Sequence, residues 1–397
     1  MHQVRTLSVI VFCVFLASIQ RADEVVEKPA AHGGAVISGG EQHATPYRDQ
    51  HSLPPTEEKS PPQELSPEAQ MLRAQIRRCL AHYLLNRTES NAERSPWGVM
   101  HAIVGFGVET PLKVGADKVN AIGWLCWNRP CNGLQLFSSN RGELAVRMGP
   151  GYQGHAGQFL MIMAYSRVPQ DYGLKIDGGD FRIADLVKHE QLTCQAGTEL
   201  SFKLLALVHY LGPDATWQNQ AGESWSIERL IEEELKQPVI GTACGGTHRI
   251  CGFGYAVRKR ELRAQPMTGH WARAQKFVSD YVDYTYKLQN SDGSFSSNWF
   301  EGRGDWGGVD RKINTTGHTL EWLLMSLPDD RLTEPDLVRA VQFLTNLLWD
   351  NRNRKWEIGP QGHALHALGL YDERVFGARP GKRTTELAEL AASVRGT

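Results

Sequence analysis

Residues 317–327 read GHTLEWLLMSL, and this stretch decides how the rest of the chain is interpreted. A small residue stands next to a polar one, and an apolar run follows. After its first turn such a run is apolar almost all round, which predicts a buried helix. The same order recurs in WGVMHAIVGFG from Trp97, GHAGQFLMIMA from Gly154, CQAGTELSFKLLALVHYLG from Cys194, CGGTHRICGFGYAV from Cys244 and GHALHALGLY from Gly362.

Amphipathic segments separate these apolar runs. Ser66-Pro67-Glu68 and Thr333-Glu334-Pro335-Asp336 are typical helix starts, and apolar residues follow both at helical spacing. Further segments of this kind begin near Ile227 and His270. We therefore expect an outer amphipathic helix and an inner apolar helix, repeated about six times. Because one such hairpin cannot bury its inner helix alone, the predicted fold is all-α, an α/α toroid. A small β-hairpin is expected between Leu134 and Met148, around the turn SSNRG.

The two ends of the chain differ in composition from its middle. An apolar run, TLSVIVFCVFLASI, follows Arg5 and is shorter than the ~20 residues that span a bilayer. It predicts a signal peptide over residues 1–22 and an exported protein, whether secreted, periplasmic or held at the cell surface; an uncleaved anchor is the alternative. Residues 23–65 are poor in large apolar residues and are predicted to be a disordered linker. Residues 66–378 form the predicted toroid domain, and residues 379–397 a C-terminal tail. No other stretch is apolar enough to be a transmembrane span.

Charge and cysteine content narrow the class of protein. The formal net charge is −1, so the chain has no basic excess with which to bind nucleic acid. Six of the seven cysteines follow the predicted signal peptide, an even number that permits disulfides in an exported protein. Cys126 and Cys131 flank WNRP, and we predict that they form a disulfide; two unbridged buried thiols are the alternative. No cofactor is predicted, a small molecule or a saccharide is the expected ligand, and the sequence names no protein partner.

The stretch ARAQKFVSDYVDYTYKLQNSDGSFS, from Ala272 to Ser296, resembles the repeats of the squalene cyclase and protein prenyltransferase superfamily. An amphipathic helix ends in Gln289 and is followed by Asp292-Gly293-Ser294 and Phe295. A weaker copy begins at Val338. The resemblance implies an α/α toroid. It does not imply terpenoid chemistry, because the chain lacks the aspartate-rich DxDD motif of the cyclases and the metal ligands of the prenyltransferases.

The opening stretch, Gly317 to Leu327, also resembles a motif of the N-acylglucosamine 2-epimerase and mannose isomerase group, which are α/α toroids as well. In that group a histidine of the motif takes part in proton transfer, and the matching residue here is His318. A second inner-helix histidine assists, and the resemblance implies His363 or His366 for that part.

Polar side chains recur where the inner helices are expected to begin. If these helices run parallel, their N-termini meet at one mouth of the ring, each with free N–H groups. His318 and Glu321 share a helix face, so they form a candidate acid–base pair, and His363 with His366 forms a second one. Trp322, one turn beyond His318, is a candidate for stacking on a sugar ring. His155, Glu199 and His248 are predicted to bind substrate, and His101 and Gln195 stand at equivalent points. The alternative for each is an ordinary cap or packing residue.

Two further features bear on the site. Cys244, His248 and Cys251 would line one helix face, but about 10 Å of helix separates the two cysteines, so no metal site is predicted. They could converge only if Gly245 and Gly246 precede the helix. The loop of residues 292–312 contains Trp299 and Trp306 among glycines and charged residues. It is predicted to close over a pocket and to bind substrate, with a purely structural loop as the alternative.

Three functions remain open from the sequence. The first is an enzyme that transfers protons on a sugar or polysaccharide, with His318, Glu321, His363 and His366 as catalytic residues. The second is a toroid that binds a terpenoid or lipid without cyclase activity. The third is a non-catalytic exported scaffold. A centre lined by histidines and carboxylates favours the first, a purely aromatic cavity the second, and a centre filled by side chains the third.

Overall fold

A computed structural model describes residues 65–140 and 142–387, and it shows a mainly helical protein. The predicted signal peptide and nearly all of the predicted linker lie outside these residues. None of the helices in the described part is long and apolar enough to cross a membrane.

The helices fall into two sets that alternate along the chain. The odd-numbered set is α1 Pro67–Asn86, α3 Ala121–Cys126, α5 Ile183–Leu192, α7 Ile227–Leu235, α9 Gly269–Leu288 and α11 Pro335–Asp350. The even-numbered set is α2 Pro96–Phe106, α4 Gln158–Tyr165, α6 Ser201–Leu211, α8 Thr247–Glu261, α10 Gly308–Ser326 and α12 Ile358–Phe376. Short 3₁₀ turns occupy Gly107–Glu109, Ala243–Gly246 and Asp329–Arg331.

The even-numbered helices pack against one another in chain order. α4 contacts α6, α6 contacts α8, and the contacts continue through α10 and α12 to α2. Because α2 also contacts α4, each of these helices has two neighbours of its own set. The odd-numbered helices pack against this set, as α9 does on α8 and α11 on α10. The even helices are the apolar runs of the sequence, and they contribute more buried apolar residues than the odd-numbered helices do.

Glycines allow these helices to approach closely. A Cβ on Gly362 of α12 would lie 2.2 Å from the carbonyl oxygen of His101 in α2. A Cβ on Gly254 of α8 would lie 1.7 Å from Oγ of Ser326 in α10. Side chains at these positions would push the helix axes apart, because packed interiors have no room for an added methyl group.

Several helix boundaries agree with the sequence and several do not. α1 begins as predicted, with Ser66 Oγ accepting from the amide of Ala69 at 3.3 Å. α10 begins at Gly308, so His318 lies in the middle of its helix rather than at the start. α4 and α6 begin later than their apolar runs suggested, which leaves His155 and Glu199 in the loops before them. The glycines before α4 and α10 have left-handed backbones, which set these starts.

Short β-hairpins precede several odd-numbered helices. β1 Glu89–Ser90, β2 Pro111–Val114 and β3 Asp117–Asn120 form one sheet, and the pairs are β4 Phe137–Asn140 with β5 Glu143–Val146, β6 Gly173–Ile176 with β7 Gly179–Arg182, and β8 Thr216–Gln218 with β9 Ser224–Ser226. The hairpin predicted between Leu134 and Met148 is confirmed as β4–β5. The others were missed, although Asp177-Gly178, both at positive φ, is a typical hairpin turn.

The predicted disulfide between Cys126 and Cys131 is not formed in the structure, where both residues are free and buried. Cys126 ends α3, whereas Cys131 pairs through its backbone with Leu134. Between them Asn128 adopts a positive φ and its side chain binds both backbone groups of Phe137. The turn is therefore held by amide hydrogen bonds, and the two thiols pack separately.

Candidate active site

Aromatic rings from all six even-numbered helices, or from the loops just before them, meet in one place. We call this set the central ring cluster: His101, His155, Phe202, His248, His318 and His363. The tightest contact joins His318 and His363, whose ring centroids are 3.9 Å apart. His248 lies 5.6 Å from each of them. The cluster therefore brings α8, α10 and α12 together at their polar residues.

The remaining rings extend the cluster on two sides. His101 of α2 contacts His363 at 5.7 Å, and Trp97 packs behind it at 4.0 Å. On the other side Phe202 of α6 lies 4.9 Å from His248 and stacks on His155 at 4.5 Å.

Four of the histidines are oriented in the same way, through Nδ1. The Nδ1 of His101 lies 2.7 Å from the carbonyl oxygen of Trp97, and that of His318 lies 2.8 Å from the carbonyl oxygen of Asn314. A carbonyl can only accept, so Nδ1 carries the hydrogen in both rings. The Nδ1 atoms of His155 and His363 bind the carboxylates of Glu199 and Glu321, at 2.7 and 2.8 Å. This leaves Nε2 as the free lone pair in the neutral form of each ring.

The buried rings are held neutral. Burial, reinforced by the neighbouring imidazole of His363, lowers the pKa of His101 to about 3. Burial also lowers the pKa of His248 and of His318 well below the ordinary histidine value, and in both cases nearby imidazoles act in the same direction. Several positive charges cannot share one dry cluster, so these rings are lone-pair donors at neutral pH.

A buried carboxylate supports the cluster from behind. Glu321 is 3% exposed, and its two oxygens accept from Nδ1 of His363 and from Nδ1 of His366, the latter at 2.5 Å. Burial alone would raise the pKa of Glu321, but the charges and hydrogen bonds of the two histidines outweigh it and hold the pKa well below its usual range. Glu321 is thus an anion enclosed by imidazoles.

His248 differs from the other histidines of the cluster in having no hydrogen bond to its ring. Both of its ring nitrogens are buried, and neither has a hydrogen-bond partner in the described part of the chain. A buried polar group without a partner costs about 1–3 kcal/mol. An imidazole kept in this state is a candidate for binding something other than protein.

A tryptophan covers the cluster. Trp299 contacts His318 at 5.8 Å and lies against Gly245, where a Cβ would be 2.2 Å from the indole Cγ. Its φ is +55°, which is a strained conformation for a bulky residue. Arg311 lies over Trp299 and over Trp306, at 5.3 and 4.9 Å from the ring centroids. Through Trp299 this loop therefore packs against the cluster.

The structure brings together most of the residues that the sequence singled out. His155, His248, His318 and His363 meet in the cluster, with Glu199, Glu321 and His366 bound to its members and Trp299 above it. Trp306 is 54% exposed at the outer edge of the loop, where its Nε1 donates to Asn298 at 2.7 Å.

Two predictions about this site were wrong. Glu321 was expected to pair with His318 on its own helix, but its partners are His363 and His366 of α12. The Nδ1 of His318 is instead taken by the carbonyl oxygen of Asn314, one turn earlier. Trp322 was expected to face a ligand, but it is fully buried and contacts Phe300. The indole of Trp322 is therefore part of the core and not a surface for stacking on a sugar.

Other residues of the site were missed or undervalued. The sequence assigns no role to His101, Trp97 or Tyr165. Tyr165 packs on His366 at 4.9 Å and its hydroxyl lies 3.2 Å from Cys251 Sγ. The sequence grouped Cys244 with His248 and Cys251, but not with His318. In the structure its Sγ lies close to nitrogens of His248 and His318, within 4.8 Å.

Comparisons with known proteins were also made. No family model matches the chain, and neither a curated protein nor a solved structure matches it.

Proposed function

We propose that this chain is an exported enzyme with an α/α-toroid fold, and that it transfers protons on a carbohydrate at the central ring cluster. The toroid is supported by the packing order of the even-numbered helices, in which each one has two neighbours of its own set. The export is supported by the apolar run Thr6–Ile19 of the sequence.

The observation that carries the catalytic proposal is the hydrogen bond between Glu321 and Nδ1 of His363. A buried carboxylate fixes the tautomer of the ring and makes its other nitrogen more basic. Nε2 of His363 then acts as the general base and returns the proton as the general acid. His366 acts through Glu321, whose second oxygen it binds, so it is a positioning residue.

The covering loop supports a carbohydrate as the substrate class. Trp299 and Trp306 offer flat apolar faces, and Glu301, Asp305 and Arg311 lie between or beside them. Aromatic faces beside charged hydrogen-bonding groups suit a ligand that is apolar on its ring faces and polar at its edges. Trp299 must move off Gly245 for such a ligand to reach His363, and the strain at its φ lowers the cost of that movement.

One observation favours the non-catalytic alternative. The imidazoles contact each other directly, so side chains fill the centre, as expected for a scaffold. The buried, unpartnered nitrogens of His248 weigh against it, because a scaffold gains nothing from keeping them. The lipid-binding alternative fits less well, since five of the six rings of the cluster are imidazoles and the ionised carboxylate of Glu321 binds one of them.

A ligand screen followed by a turnover assay tests the proposal. Thermal shifts would be measured with oligosaccharides, sugar phosphates and isoprenoids, because a ligand of the native state raises its stability by about 2.7 kcal/mol at 100 times Kd. We expect saccharides to stabilise the protein, and His363→Gln to abolish turnover of those that bind. His270→Gln, a change in α9 outside the cluster, is the matched control. Stabilisation by isoprenoids alone, or turnover that survives His363→Gln, would contradict the proposal.

A further inference from the structure

Three side chains at the edge of the central ring cluster bring metal-binding atoms together. Cys244 Sγ, one ring nitrogen of His248 and one of His318 all lie within 4.8 Å of one another. They come from the turn before α8, from α8 itself and from α10. No sequence motif joins the three, because His318 is 70 residues further along the chain than His248.

The backbone before α8 is what turns the cysteine toward the histidines. Cys244, Gly245 and Gly246 have φ values of +49°, +64° and +81°, and α8 begins only at Thr247. Cys244 therefore precedes the helix. Its distance from His248 is set by this turn and not by the helical rise that would separate Cys244 from Cys251. Cys251 lies within α8, where its Sγ contacts Met325 Sδ at 3.7 Å.

The free atoms of the three side chains are those that a metal ion needs. The Nδ1 of His318 is occupied by the carbonyl oxygen of Asn314, which leaves Nε2. Metal-binding histidines usually donate their other N–H to such an outer acceptor. Both nitrogens of His248 are buried without a partner. Cys244 is a free thiol, and in the described part of the chain it has no hydrogen bond through its sulfur.

We propose that Cys244, His248 and His318 bind one Zn²⁺ ion. One sulfur and two imidazole nitrogens, with no carboxylate oxygen among them, suit Zn²⁺ and exclude Ca²⁺ and Mg²⁺. Zn–S and Zn–N bonds of ~2.3 and ~2.0 Å place ligand atoms roughly 3.5 Å apart, so the three atoms need to close by only about 1 Å. Three protein ligands leave the fourth tetrahedral position open, which is the arrangement of reactive zinc sites.

This site does not depend on the proton transfer proposed above. His363 is outside the ligand set, and metal binding can be measured without any substrate. Loss of turnover in His363→Gln with Zn²⁺ retained would support both proposals, and an absence of Zn²⁺ binding would leave the acid–base proposal standing.

The test is a titration of the full chain after its metals have been removed with a chelator. Zn²⁺ binding would be measured by competition with a chromophoric chelator, and Co²⁺ would serve as the spectroscopic probe. We expect one Zn²⁺ per chain and a thiolate-to-Co²⁺ charge-transfer band. Cys244→Ser should remove the band, and His248→Gln and His318→Gln should each weaken Zn²⁺ binding on the order of 100-fold.

Two controls keep the result unambiguous. Cys251→Ala removes a buried thiol from α8, the helix that carries His248. It should leave the Zn²⁺ stoichiometry and the charge-transfer band unchanged. The triple variant Cys244→Ser/His248→Gln/His318→Gln measures how much Zn²⁺ binds to histidines elsewhere in the chain, including His32, His43 and His51. A wild-type protein that gives no thiolate-to-Co²⁺ band would overturn the proposal, whatever the variants do. So would a triple variant that still binds Zn²⁺ as tightly as the wild type.

Discussion

The Nδ1 atom of His363 lies 2.8 Å from Oε2 of Glu321, and the other oxygen of the same carboxylate is taken by His366. Two residues of α12 thereby hold one residue of α10, and all three lie at or beside the centre of the helix set. The carboxylate is buried and ionised, so its removal disturbs both the structure and the basicity of His363.

Glu321→Gln should destabilise the protein by about 2–4 kcal/mol. The amide oxygen can accept from only one of the two imidazoles, and the amide NH₂ then faces the other N–H. The free energy of unfolding would be measured by urea denaturation. Glu301→Gln, on the exposed part of the loop, should change it by less than about 0.5 kcal/mol. Equal effects of the two substitutions would show that the buried contact contributes nothing.

Gly362→Ala should destabilise the protein by about 2 kcal/mol or more. The added Cβ would lie 2.2 Å from the carbonyl oxygen of His101, and a backbone atom in α2 cannot turn aside as a side chain can. Gly173→Ala is the matched control, since a Cβ there meets nothing within 4 Å. Thermal unfolding of the two variants would be compared, and similar midpoints would contradict the close packing of α2 and α12.

Lys203→Met should destabilise the protein by about 3–5 kcal/mol. Lys203 and Glu190 form a salt bridge of 2.9 Å in which both side chains are 3% exposed, so the substitution leaves a buried carboxylate without its cation. Lys203 also binds Thr193 and thereby holds the start of the loop that leads to Glu199. The double variant Lys203→Met/Glu190→Gln should recover part of the loss in urea denaturation. A double variant no more stable than the single one would refute this explanation.

Stability should fall as the pH is lowered from about 6.5 toward about 3. The pKa of His101 is lowered to about 3 by burial and by His363, against the opposing effects of the Trp97 carbonyl and Glu321. In this window the unfolded chain takes up a proton at His101 that the folded protein does not. Each such histidine reduces stability by about 1.4 kcal/mol per pH unit. Urea denaturation at several pH values would show a shallower slope for His101→Gln, and an unchanged slope would contradict the assignment.

Trp299→Ala should expose Cys244. The indole lies against Gly245, the neighbour of this cysteine. We expect faster reaction of one thiol with Ellman's reagent in the metal-free protein, and Cys244→Ser in the same background should remove it. Trp306→Ala, on the same loop, is the control and should have no effect. An unchanged rate in Trp299→Ala would show that the ring is not a cover.

The sequence predicted the helical pairing well, because the signal was repeated. Small and polar residues before apolar runs identified the even-numbered helices, and Ser66 and Pro335 correctly marked the starts of two odd-numbered helices. All the strands of the hairpins are only three or four residues long; β4–β5 was predicted from its turn SSNRG, whereas the hairpins before α5 and α7 were missed. Such short strands show only one or two alternations of apolar and polar residues, so the turn residues are their main signal in the sequence.

The sequence pointed to histidines that do lie together, but not to their partners. His155, His248, His318 and His363 meet in the central ring cluster, although His318 lies in the middle of its helix and His155 in a loop. The partner of Glu321 depends on how α10 packs on α12, and spacing along one helix cannot show that. The position of Cys244 next to His318 depends on three consecutive left-handed residues, of which only Gly245 and Gly246 were suggestive in the sequence.

The tautomers of the clustered histidines test the account most directly. In ¹⁵N-histidine-labelled protein at pH 7.5, two-bond ¹H–¹⁵N spectra distinguish Nδ1–H from Nε2–H rings, and His→Gln variants assign the signals. We expect neutral rings protonated at Nδ1 for His101 and His318, with Nε2 unprotonated. Nε2–H tautomers, or rings that are charged at this pH, would contradict the hydrogen bonds of the central ring cluster and would remove the Nε2 lone pair of His318 that the zinc proposal needs.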